Sequence, residues 1–196
     1  MPNSFYGRQR PLYVPPSSLE YVKVRMTTTT RKTMMETEPL TEVSKRIVIF
    51  GAAGDLCKRK LIPALFELWK KNLLPKGLLI VGASRRDLPK ETWLNHLGDY
   101  PQDFTAWLDF ISCDLDCQES LNKLHDESAD TTYFLSVPPS TYGAAITNLK
   151  EAGFLDDPQR SRVVIEKPFG YDYKSACNLQ SVVERHLREK QVYRID

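Results

Sequence analysis

The chain has 196 residues, 41% of them hydrophobic and 27% charged, which suffices for one domain with a sizeable core and is too short for two large ones. No apolar run approaches the roughly 20 residues of a bilayer-spanning helix, because the strongest, Leu78 to Ala83 and Val163 to Ile165, are strand-sized. With 27 Lys and Arg against 25 Asp and Glu the net charge is +2, too even a balance for a surface built to hold nucleic acid.

Residues 1–45 contain Pro2, Pro11, Pro15, Pro16 and Pro39, the polar run Thr27 to Thr30, and no sustained period of 2 or 3.6. That texture predicts a disordered extension. Residues 1–46 hold 8 Lys and Arg against 4 Asp and Glu, so this part is basic and the remainder slightly acidic. A transit peptide fits the hydroxyl-rich, basic composition, but Glu20, Glu36 and Glu38 break the acid-poor pattern of such peptides. Met26, Met34 and Met35 are alternative starts.

From residue 46 short apolar runs alternate with helix-sized segments, the pattern of strand, crossover helix and parallel strand. The predicted strands are Arg46 to Phe50, Leu78 to Val81, Phe110 to Cys113, Thr132 to Val137 and Val163 to Glu166, each read as apolar on both faces. Between them Leu56 to Lys71 presents Leu61, Leu65, Leu68 and Trp69 at helical spacing, and Tyr142 to Ala152 presents Ala145, Ile146 and Leu149. Pro63 removes an amide donor inside the first helix, so a kink or a late start is expected there. Asp172 is placed to cap a last helix running to Glu189, with Ala176, Leu179, Val183 and Leu187 turned inward. The fold class that follows is α/β, a Rossmann-like doubly wound parallel sheet over residues 46–196. Cys57, Cys113, Cys117 and Cys177 form no CxxC pair and only His96, His125 and His186 accompany them, which argues against zinc and for a reduced, cytoplasmic protein.

The most informative segment is Phe50-Gly51-Ala52-Ala53-Gly54-Asp55-Leu56-Cys57, set between the first predicted strand and the first predicted helix. A strand turning sharply into a helix beneath a diphosphate needs a residue without Cβ at the turn and another where backbone meets phosphate, and Gly51 and Gly54 supply them. Free amides and the positive end of the helix dipole then face the anion. A plain glycine turn is the alternative, and the flanking strand and helix favour the nucleotide. At the end of the second strand no acid is available for a ribose 2′-hydroxyl. Ala83-Ser84-Arg85-Arg86 instead offers a hydroxyl and two guanidinium groups, which suit a 2′-phosphate and point to NADP over NAD, a solvated basic loop being the alternative.

Three motifs in order, G-A-A-G-D-L-C-K-R-K at Gly51 to Lys60, E-K-P-F-G at Glu166 to Gly170 and Y-R-I-D at Tyr193 to Asp196, strongly resemble the glucose-6-phosphate dehydrogenase family. The first differs from the family's G-A-S-G-D-L-A-K-R-K only by Ala53 and Cys57. The resemblance implies coenzyme contacts at Gly51, Ala52, Ala53, Gly54, Asp55, Leu56, Lys58 and Arg85. It implies further contacts at Asp114 and Leu115 near the adenosine, and at Ser136 and Tyr142 near the nicotinamide. Lys167 is implied to touch both coenzyme and glucose 6-phosphate. Asp196 is implied to orient a catalytic histidine supplied by residues beyond it. Lys167 falls at the carboxyl end of the fifth predicted strand, the edge where open α/β sheets bind ligands. The Lys167–Pro168 bond is left open between cis and trans.

The family continues R-I-D with H-Y-L-G-K-E and a large α+β domain, which these 196 residues do not include. None of the three histidines matches the family's base. The expectation is therefore the NADP-binding part of an oxidoreductase of the pentose phosphate pathway, inactive as this chain alone. Apolar surface that a following domain would cover is expected to be exposed, and a homo-oligomer is expected only of a full-length form. The alternatives are a non-catalytic NADP-binding or regulatory module and a protein of the glucose-fructose oxidoreductase group. No metal, nucleic acid or membrane partner is expected. The stretches from Arg86 to Asp109 and from Asp114 to Asp130 are short for the family, so their helices are expected to be trimmed or lost.

Overall fold

The computed structural model describes residues 44–126 and 128–196, so the predicted disordered extension lies outside the described residues but for Ser44 and Lys45. Six strands form one fully parallel sheet: β1 (Lys45–Phe50), β2 (Leu79–Ser84), β3 (Leu108–Ser112), β4 (Asp130–Leu135), β5 (Ser161–Glu166) and β6 (Val192–Ile195). Their spatial order is β3-β2-β1-β4-β5-β6, which places the reversal of winding between β1 and β4. Phe50 pairs with Ala83 on one side and Leu135 on the other, so the carboxyl ends of β1, β2 and β4 finish level. The sixth strand, which the sequence pattern concealed inside the Y-R-I-D motif, pairs Val163 to Glu166 with Val192 to Ile195.

Helices cover both faces. On one, α1 (Ile62–Lys70), α2 (Lys90–Leu97) and α3 (Gln102–Thr105) bury Ile62, Trp93, Leu97 and Phe104 against Ile49, Ile80, Leu108 and Phe110. On the other, α4 (Gln118–Leu121), α5 (Tyr142–Glu151) and α6 (Tyr173–His186) bury Leu121, Ile146, Leu149 and Val183 against Val48, Val81, Leu135 and Val163. The two stretches expected to be trimmed thus keep short helices, and α2 and α3 contribute fully buried aromatic side chains. The last helix ends at His186, not Glu189, because Leu187 adopts extended backbone before a short 3₁₀ turn leads into β6. Asp172 caps it as expected, its carboxylate accepting from the Ser175 amide at 2.7 Å.

Pro63 has a specific consequence. Ahead of α1 the chain runs through a π-helical turn, Cys57–Leu61, closed by the Ile62 amide donating to the Cys57 carbonyl. Proline lacks an amide proton and its ring crowds the carbonyl four residues back, and the wider turn accommodates both demands without ending the helix.

One expectation fails. The central strands β1 and β2 are apolar and buried on both faces, whereas β4 and β5 alternate, with Phe134, Arg162, Val164 and Glu166 only half buried. The register aligns Phe134, Val164 and the exposed Tyr193 across one face, the face that α1 to α3 cover elsewhere. Both α5 and α6 return on the opposite side, so among the described residues this half of the sheet has a single helical layer. Tyr193 and Ile195 of β6 are exposed.

At the amino-terminal edge Arg46, 6% exposed, donates from Nη1 to the Leu124 carbonyl at 3.1 Å and lies 3.5 Å from Asp126 Oδ2. Partial burial pushes the Asp126 carboxyl up, but hydrogen bonds from the Ser128 hydroxyl and amide, with Arg46 and Arg160 nearby, outweigh it and hold the group below its ordinary value. A depressed folded pKa gives stability that is present above the unfolded value, near pH 4, and lost as pH falls through the folded one. The urea midpoint of Asp126→Asn is expected to fall less steeply than that of the parent between about pH 5 and pH 2; parallel acid limbs would refute the role of this carboxylate.

Candidate functional site

Level strand ends bring three loops together at the carboxyl edge. Gly51, directly after β1, has φ of 80°, and a Cβ there would stand 2.0 Å from the Ser136 carbonyl oxygen after β4. Only glycine fits that approach. Gly54 differs. Its φ is ordinary and a Cβ would meet only the Gly51 carbonyl, at 3.0 Å.

The hydrogen bonds of the turn revise the expected donor set. The Gly51 and Ala52 amides both donate to the Ala83 carbonyl of β2, at 2.9 and 3.1 Å, and the Gly54 amide donates to Gly51 at 2.9 Å. Three of the amides expected to face an anion are therefore already engaged. Among the described residues, no turn or loop carbonyl accepts from Ala53, Asp55 or Leu56, which precede the first complete helical bonds. These three amides lie at the positive end of the helix that begins here, and of the three residues Ala53 lines the cleft described next.

This turn forms the floor of a cleft of about 500 Å³. Gly51, Ala53 and Gly54 line it together with Arg85, Asp114, Leu115 and Ser136, so seven of the expected residues meet at one site. Arg85 and Arg86 are exposed at its mouth, and neither forms an ion pair among the described residues. The Ser84 hydroxyl beside them accepts from the Arg86 amide at 3.3 Å. The wall after β3 is held by the Asp114 amide donating to the Ser120 hydroxyl and the Asn148 side chain donating to the Leu115 carbonyl, both at 2.9 Å. On the β4 side the Ser136 hydroxyl is buried and has no hydrogen-bond partner among the described residues. Cys113 and Thr141 also line the cleft and were missed by sequence reasoning; Cys113 closes the third predicted strand, and that end position was the available signal. Burial pushes the Cys113 thiol up to about 11, so it meets the cleft as a neutral thiol.

The other expected residues stand elsewhere. Ala52 is fully buried and faces the sheet interior, Asp55 forms an exposed ion pair with Arg59 at 3.3 Å, and Leu56 and Lys58 line no part of the cleft. Tyr142 is also buried, and burial pushes its phenol up where it meets the Glu166 backbone. Lys167 and Asp196 lie at the same sheet edge, outside the cleft lining, and form an ion pair with each other. The Lys167 amide donates to the Ile195 carbonyl at 3.1 Å, so β5–β6 pairing creates that meeting, and the Lys167–Pro168 peptide is cis. His96 is on α2, His125 packs on Phe154 at the opposite edge of the sheet, and His186 ends α6; none lines the cleft.

The sequence pattern described as "Glucose-6-phosphate dehydrogenase, NAD binding domain" matches residues 48–196. The chain belongs to the glucose-6-phosphate dehydrogenase family. It is 34% identical over 170 residues to the Caenorhabditis elegans glucose-6-phosphate 1-dehydrogenase, covering 76% of this chain and 33% of that protein. To the Leuconostoc mesenteroides enzyme of the same name it is 33% identical over 177 residues, covering 80% and 36%. Among solved structures, a glucose-6-phosphate 1-dehydrogenase from Mycobacterium avium superposes with a TM-score of 0.70 at 28% identity, covering 78% of this chain and 36% of the other. A glucose-6-phosphate dehydrogenase in complex with its substrate glucose-6-phosphate gives 0.68 at 29% identity, covering 80% and 37%. The chain thus spans about a third of the length of these relatives.

Within this family fold the two turn glycines are expected to respond differently. Gly51→Ala forces a Cβ into a carbonyl and into positive φ, and its urea midpoint should report a loss of at least about 2 kcal/mol. Gly54→Ala should lose under about 1 kcal/mol, and equal losses would contradict the assigned geometry.

Proposed function

We propose that this chain is the coenzyme-binding part of an enzyme that oxidises glucose 6-phosphate to the 6-phosphogluconolactone with NADP, in the cytoplasm. The observation that carries the reading is the composition of the cleft. Among the described residues the amides of Ala53, Asp55 and Leu56 at the turn are left without a turn or loop acceptor, and a short distance along the same edge the guanidinium groups of Arg85 and Arg86 form no ion pair. The buried Ser136 hydroxyl without a partner is a further polar group suited to a ligand. These features fit a dinucleotide bearing an extra phosphate.

In this reading the turn holds the diphosphate, Arg85 and Arg86 hold the 2′-phosphate, and Asp114 and Leu115 flank the adenosine. The coenzyme, when bound, supplies the acceptor for a hydride. Lys167 presents an ammonium that can bond a sugar hydroxyl and complement phosphate charge, and Asp196, paired with it here, is the carboxylate proposed to orient the catalytic histidine. Among the described residues no imidazole lines the cleft, and this reading therefore takes the general base from outside them. A coenzyme-binding module without turnover is the second reading, favoured by that same lack of a base.

Calorimetric titration with NADP and NAD tests the ribose end. The parent chain is expected to prefer NADP, and Arg85→Ala to reduce the ratio of the two dissociation constants at least about tenfold, or about 1.4 kcal/mol. An unchanged ratio would remove Arg85 from the site. The purified 196-residue chain is expected to show no coenzyme reduction with glucose 6-phosphate, and measurable turnover would overturn the requirement for an external base.

A further inference from the structure

Of the three amides that the turn leaves free, that of Ala53 belongs to a residue lining the cleft, and its direction depends on the orientation of one peptide plane that a single side chain fixes. Trp93, the first of the two residues that α2 buries, is fully buried, and its indole Nε1 donates to the Ala52 carbonyl at 2.9 Å across 41 residues of sequence. The Ala52–Ala53 peptide is trans, the Lys167–Pro168 bond being the cis bond of the described residues. In a planar trans peptide the carbonyl and the following amide point in opposite directions. A carbonyl drawn down onto the indole therefore directs the Ala53 amide up into the cleft that Ala53 lines.

A second observation supports the same assignment. Gly82 interrupts β2, where glycine ordinarily weakens a strand. A Cβ there would lie 2.6 Å from the Trp93 ring and 2.9 Å from the Ala52 Cβ, so the bare backbone makes room for the indole beneath the turn. The ring is further confined by Phe110, with centroids 5.2 Å apart. Its helix is short, and the Lys90–Asp109 ion pair at 3.4 Å ties the start of that helix to β3.

We infer that Trp93 is a positioning residue for the diphosphate: its indole N–H sets the direction of the Ala53 amide, and α2 is retained to deliver it. This rests on the coenzyme reading given above. Trp93→Phe keeps a ring in the space and removes the donor. Calorimetry on the full 196-residue chain, well below the melting temperature, is expected to show the NADP dissociation constant rising about five- to tenfold. Phe104→Leu, in the same core but away from the turn, is the reference for destabilisation alone; it should lower the melting temperature and leave NADP affinity within about twofold.

In the parent, ¹⁵N-labelled indole spectra supply a measurement that needs no variant. The Trp93 N–H resonance is expected to move on NADP addition, while those of Trp69 and Trp107 stay. Equal NADP affinity of parent and Trp93→Phe, equal weakening by Phe104→Leu, or a stationary Trp93 resonance during saturable binding would each overturn the inference alone. Failure of the parent to bind NADP would overturn the coenzyme reading, and this inference with it.

Discussion

The Ala83 carbonyl accepting from both Gly51 and Ala52 is the interaction on which the candidate site turns. It sits at the end of β2, level with Phe50, and it pulls the chain leaving β1 sideways before any helix has begun. Once that bend is made, the Ser136 carbonyl on the β4 side closes against Gly51 and excludes every side chain there. The helix that follows then starts with its first amides free and its axis aimed at the strand ends. The candidate anion site is thus a by-product of three parallel strands finishing in register.

This explains why the fold was legible from sequence and the donor set was not. Apolar runs separated by helix-sized segments are the direct trace of a parallel sheet, and each of the five predicted strands overlaps an observed one. The Gly-rich motif located the turn because φ of 80° and a 2.0 Å approach leave no other residue possible at Gly51. Which amides remain free, by contrast, depends on long-range pairing to Ala83, and no local pattern contains it. The same holds for Lys167 and Asp196, whose meeting follows from β6, a strand too short and too polar at Tyr193-Arg194 to declare itself by periodicity. Trp93 was hidden for a different reason: its segment reads as a peripheral, weakly amphipathic stretch, and its role appears only once Gly82 is seen to leave room for it.

The two halves of the sheet are finished differently. Around β1 to β3 the aromatic cluster of Phe66, Trp69, Tyr100 and Phe104, with ring centroids 5.0 to 5.8 Å apart, seals one face and α4 and α5 the other. Around β4 to β6 the described residues seal only the α5–α6 side. The candidate cleft draws its walls chiefly from the sealed half, so the proposed binding of a dinucleotide depends on the better packed part of the molecule. The residues proposed to act on the sugar lie on the less covered half.

That asymmetry bears on Lys167 and Asp196. Both are well exposed, at 59% and 81%, and an ion pair between such groups is screened by water and contributes about 0–1 kcal/mol. It is therefore a pair that an arriving phosphate or sugar hydroxyl can enter at small cost, unlike a buried pair whose opening would strand a charge. Its geometry is nevertheless defined, because the backbone beneath it is a ladder bond from Lys167 to Ile195. A rigid main chain carrying weakly committed charges is the arrangement expected of a site that must exchange one partner for another, and it is the sheet pairing, more than the ion pair, that holds the two side chains ready.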